Sequence, residues 1–93
     1  MVVGKMYLSA FLGDAHSLKD KRQVVKSVKD RVHGRFNVSI AEVEDQDLWQ
    51  KVGLGVAVAS NDAKHALSVL SEVEQFIRTH PALVVCSAET EIL

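Results

Sequence analysis

VGLGVAVAS, residues Val52 to Ser60, alternates with a period of two: Val52, Leu54, Val56 and Val58 fall on one side, Gly53, Gly55, Ala57 and Ala59 on the other. That period belongs to a β-strand and not to a helix, and its two faces are unlike. The aliphatic face calls for a core. The other face carries nothing larger than a methyl group, so another backbone can approach it closely. The paired glycines do not make a phosphate loop, because no GxGxxG or P-loop pattern surrounds them and VGLGVA lies mid-strand.

Working outward, residues 2–12, VVGKMYLSAFL, repeat the alternation, with Val2, Met6, Leu8, Ala10 and Leu12 against Val3, Lys5, Tyr7, Ser9 and Phe11. Lys5 and Ser9 interrupt the apolar run, so the segment reads as mature protein and not as a signal peptide. Gly13-Asp14 supplies turn chemistry. Ser17 then caps a helix, with Asp20 as a short-armed capping-box partner, and Leu18, Val24, Val25, Val28 and Val32 recur at helical spacing before Gly34. Residues 36–44, FNVSIAEVE, alternate again through Phe36, Val38 and Ile40, and residues 45–51 form a polar connection into the quoted strand. Ser60 or Asn61 is the expected cap of a second helix, whose apolar positions are Ala66, Val69, Leu70, Val73, Phe76 and Ile77. Pro81 marks its end, and residues 83–92 read as a last strand. The order strand, helix, strand, strand, helix, strand predicts an α+β domain with the ferredoxin-like βαββαβ fold: a four-stranded antiparallel sheet with two helices on one face. No linker or repeat divides the chain, so residues 1–93 are expected to form one domain.

Charge is unevenly distributed. Residues 1–41 carry a net +5 and residues 42–93 a net −6, and seven of the eleven basic residues lie between Lys19 and Arg35. On a helical wheel Lys19, Arg22, Lys26, Lys29 and His33 occupy a sector of about 80° beside the apolar face and run about 21 Å along the helix. Like charges one turn apart cost a helix about 0.2–0.5 kcal/mol per pair, a cost that an anionic partner such as phosphate reverses. The alternative is a solvated face screened by Asp20, Asp30, Glu42 or Glu44. Lys21 falls toward the apolar side, with its stem expected along the core rim and its ammonium outside.

The sheet face away from the helices is expected to be flat and built of small residues, a surface suited to a homodimer or another partner, or else partly covered by a loop or terminus. Tyr7, Phe11 and Trp49 are the candidate partner-interface residues. KVGLGVAVAS faintly echoes the RNA-recognition pattern, but Leu54, Val56 and Ala59 stand where it has aromatic rings, so base stacking is not expected there. Trp49, in the acidic connection, either anchors a partner or folds over its own core. No catalytic residue, cofactor or metal is predicted. Glu42, Glu44, Asp45 and Asp47 do not match a calcium loop, and His16, His33, His65 and His80 lack ligand spacing. A partly positive ring at His80 is expected to gain from the dipole of a helix C-terminus, and Cys86 to be an inert buried thiol. An acylphosphatase reading of the same topology fails on LGDAHS, the loop after the first strand, which has no arginine and carries Asp14. No apolar run is long enough to cross a membrane, and the lone cysteine fits a cytoplasmic protein.

Taken together, Ser17-Leu18-Lys19-x-Lys21-Arg22, Arg35-Phe36-Asn37-Val38-Ser39 with Ala41-Glu42-Val43, Asp45-Gln46-Asp47-Leu48-Trp49-Gln50, Leu54-Gly55-Val56-Ala57-Val58 and Ser60-Asn61-Asp62 resemble the YlxP-like family of small bacterial proteins of unknown function. The likeness is collinear over essentially the whole chain. It implies a ferredoxin-like fold, and genes of the family commonly adjoin those of a translation initiation factor and a ribosome-maturation factor. That association implies ribosome biogenesis or translation, and joined to the basic stripe it leads to the expectation of a non-enzymatic protein that binds ribosomal RNA or a ribosomal particle, with Lys19, Lys21, Arg22, Lys26, Lys29 and His33 as contacts. The alternative is a self-associating or small-ligand regulatory domain.

Overall fold

The computed structural model describes residues 1–93 as β1 (Val2–Phe11), α1 (Leu18–His33), β2 (Ser39–Glu44), β3 (Lys51–Ser60), α2 (Ala63–Arg78) and β4 (Val84–Ile92). One antiparallel sheet forms in the order β2-β3-β1-β4 with both helices against one face, the expected ferredoxin-like arrangement. The long strands β1 and β3 are central, and their register sets Met6 opposite Val56 and Leu8 opposite Leu54. Both apolar sets therefore share a face and meet Val25, Val28 and Val32 of α1 and Ala66, Leu70, Val73 and Ile77 of α2. Each buried Val, Leu, Ile or Met among them contributes about 1.5–3 kcal/mol, which drives the sheet and helices together. α2 presses directly on β1: a Cβ on Gly4 would stand 3.0 Å from Leu70 Cδ1 and 3.2 Å from Ala66 Cβ. α1 lies over the β2 side.

Helix starts follow side-chain chemistry. Ser17 Oγ accepts from Asp20 N at 3.1 Å, and Asp20 Oδ2 reaches back to accept from His16 N at 3.0 Å. Gly34 ends α1 in a right-handed conformation, with φ −71°. The cap of α2 is Asp62 and not Ser60 or Asn61; Ser60 Oγ instead accepts from Asp62 N at 3.1 Å and sets the turn before it.

The second strand is shorter than its alternation predicts. Phe36 and Val38 lie outside β2 yet still pack against the core, Phe36 meeting Phe76 edge-on at 5.6 Å. Within β2 a bulge between Glu42 and Glu44 breaks the two-residue parity. Glu42 therefore reaches Lys21 on the helix side, while Glu44 reaches Tyr7 on the open side. A second register shift, beside Ser9 and Ala10 in the β1–β4 pairing, leaves Cys86 unpaired with β1 on an edge strand. Its thiol is exposed, contrary to the buried position expected. No helix is long and apolar enough to cross a membrane.

Candidate functional site

α1 separates its predicted cations into two environments. Lys19, Arg22, Lys26 and His33 are exposed and Lys29 is half-buried. Ser27 and Arg31, on another flank of the helix, face His80 at the end of α2. The stripe thus occupies the outer flank, away from α2. Lys19, Arg22, Lys29 and His33 form no ion pair within the chain. Lys26 pairs with Asp30 at 2.7 Å across one helical turn, and both side chains remain mostly exposed. That hydrogen bond raises the Lys26 pKa and lowers that of Asp30, so both stay charged. Exposed pairs of this kind are screened by solvent and add little to stability, so a polyanion can displace the partner.

Lys21 departs from expectation. It is 1% exposed, and its ammonium points inward instead of snorkelling out. Nζ donates to the backbone carbonyls of Asp45 and Leu48 and lies 2.7 Å from Glu42 Oε2. The Glu42 contact is an ion pair without aligned hydrogen-bond geometry, so charge and not direction holds that oxygen. Lys21 is therefore removed from the contact set: the connection between β2 and β3 closes over it. The same connection carries Trp49, which is 37% exposed beside the His16 ring at a centroid distance of 6.3 Å.

Sequence reasoning passed over Arg35 as a site residue. Its guanidinium stands 5.1 Å above the Phe76 ring and 5.9 Å from that of Phe36, which holds an exposed cation just beyond the end of α1. Its signal was present in the Arg35-Phe36 pair, but Phe76 comes from forty residues downstream and only the fold delivers it.

On the opposite side of the molecule the open sheet face holds a groove of about 580 Å³, floored by Ser39, Ala41, Gly55 and Ala57. Tyr7 leans over Gly53, where a Cβ would come within 2.8 Å of its hydroxyl, and donates to Glu44 Oε2 at 2.7 Å. That hydrogen bond, aided by burial and by the charges of Glu44, Asp45 and Glu89, pushes the phenol pKa up to about 12. Phe11 is exposed at one end of this face. The three predicted interface residues do not form one patch: Tyr7 and Phe11 share the face, whereas Trp49 lies in the β2–β3 connection.

These features define a ferredoxin-like domain with a cationic helix flank on one side and a bare sheet on the other. A profile of the DUF503 family, described as protein of unknown function, matches residues 3–90. The chain is 36% identical over 90 residues to the uncharacterized protein YlxP of Bacillus subtilis (strain 168), across 97% of this chain and 98% of that one. It belongs to the DUF503 family, and its resemblance to YlxP-like proteins holds along the whole chain. Among solved structures it is similar to a de novo designed protein with a ferredoxin fold, at a TM-score of 0.64 and 16% identity over 98% of this chain and 86% of that one. It is also similar to a putative chlorite dismutase, at a TM-score of 0.51 and 18% identity over 99% of this chain and 44% of that one. At such identities the two likenesses show the fold alone.

Proposed function

We propose that this protein is a non-enzymatic RNA-binding protein that docks on ribosomal RNA or a ribosomal particle through the outer flank of α1. One observation carries the reading: Lys19, Arg22 and Lys29 lack intramolecular ion pairs although the chain holds twelve carboxylate side chains. Cations left unpaired along one flank repel one another, and phosphates relieve that repulsion while releasing counterions. Lys26 joins them by exchanging Asp30 for phosphate, and His33 and Arg35 extend the charge toward the end of the helix. Contact is led by charge and shape, because phosphate contacts position a protein without reading sequence. The YlxP-like resemblance favours RNA over DNA.

The test is binding of a labelled ribosomal RNA fragment across a salt series, beside co-migration with ribosomal particles in a sucrose gradient. Four phosphate contacts predict a log–log salt slope of about −3. Replacing Lys19, Arg22, Lys26 and Lys29 by Glu abolishes binding while the circular dichroism spectrum is retained. Binding by the fourfold variant equal to that of the wild type would overturn the reading.

A further inference from the structure

The open face has two halves of different relief. β2 and β3 present the lower half, the small residues Ser39, Ala41, Gly55 and Ala57, with Val43, 50% exposed, standing over Gly55. β1 and β4 present Lys5, Tyr7, Glu89 and Glu91, longer side chains that make this the higher half, with Tyr7 leaning toward β3 over Gly53. Phe11 and Val84 face each other in register at one end of the higher half and are 50% and 66% exposed.

We propose that a second copy of the chain covers this face, related by a two-fold axis that runs along the strands between β3 and β1. Rotation about that axis lays the high half of each copy over the low half of the other, so the raised side chains enter the partner's groove. An axis across the strands would instead set high on high and low on low, leaving the groove empty while the large side chains collide. Sheets packed face to face lie about 10 Å apart and need such interdigitation. The contact is isologous and closes at two copies.

Charge placement agrees with this arrangement. Glu44 lies on edge strand β2, and Glu89 and Glu91 on edge strand β4, so these carboxylates fall at the rim. Of the central strands' outward charges, Lys5 already faces Glu91 at 3.4 Å and Lys51 lies at the end of β3. An apolar centre with a charged rim is the usual anatomy of a protein interface. Four strands of up to ten residues offer roughly 600 Å² of projected area per copy, close to the lower bound of about 1,200 Å² in total for a specific complex. Both α1 helices remain on the outside, so the dimer does not depend on RNA binding.

Sedimentation velocity on nuclease-treated protein, over a concentration series at low and high salt, tests the proposal. The wild type sediments as a dimer at both salt concentrations. Ala41→Arg, an exposed position on the groove floor, sediments as a monomer with an unchanged circular dichroism spectrum, and Leu67→Arg on the exposed side of α2 stays dimeric. A wild type monomeric at every concentration, or an Ala41→Arg variant that dimerises like it, would overturn the proposal. So would a dimer that high salt dissolves, since that behaviour marks pairing between the basic and acidic halves of the chain.

Discussion

Lys21 is a charged residue in a core position. Enclosing an ammonium costs several kcal/mol, and two hydrogen bonds to loop carbonyls with the charge of the Glu42 carboxylate offset that cost. Lys21→Met leaves Glu42 unpaired and both carbonyls without their donor. The expected loss is about 3 kcal/mol in urea denaturation, with faster amide exchange over residues 45–50; an unchanged midpoint would show that the ammonium does not hold the loop. Changing Glu42 to Leu in the same chain recovers part of the loss. Tyr7 offers a second measurement, because it is the only tyrosine. Its phenolate absorbance titrates near pH 12, and in Glu44→Gln the midpoint falls toward the ordinary 10.0. The raised pKa stabilises the fold below about pH 10, a contribution lost as pH rises through about 12. An unshifted midpoint in the variant would remove Glu44 as the cause.

The elements are joined by single side chains as well as by the core. His80, after α2, accepts from Ala82 N through Nδ1 at 3.2 Å and places Nε2 3.3 Å from Ser27 Oγ on α1. This geometry assigns the proton to Nε2 and keeps the ring neutral, contrary to the helix-end cation expected from its position. Burial, followed by the charge of Arg31, lowers its pKa. A folded pKa below the unfolded value of about 6.5 contributes stability above that pH, which is lost as pH falls through the folded value. Melting temperature therefore declines on acidification below about pH 6.5, and His80→Phe makes that part of the decline shallower. Equal acid limbs would show that another group carries the effect. In β2, the bulge distributes two nearby glutamates to opposite faces, one to Lys21 and one to Tyr7. Asp45 follows at φ 61°, a left-handed conformation that Asp tolerates better than most residues, and the connection turns there.

At the scale of the whole molecule, helices on one face of the sheet put the cationic flank and the bare groove on opposite sides, so the proposed RNA contact and the proposed dimer contact do not compete. Much of this was legible in residue order. Strict alternation in Val52–Ser60 defined a strand with one buried face, Ser17 with Asp20 marked the start of α1, and the 3.6-residue spacing from Ala66 to Ile77 placed one stripe of α2 in the core. Periodicity and capping act over a few residues, so the local chain determines them. It could not show that Lys21 turns inward, that Cys86 turns outward, or that Arg35 rests on Phe76. Each of those outcomes depends on groups that the sheet register or helix packing brings from far along the chain. An ammonium group enters a core only where tertiary structure has already gathered the oxygens that replace its water.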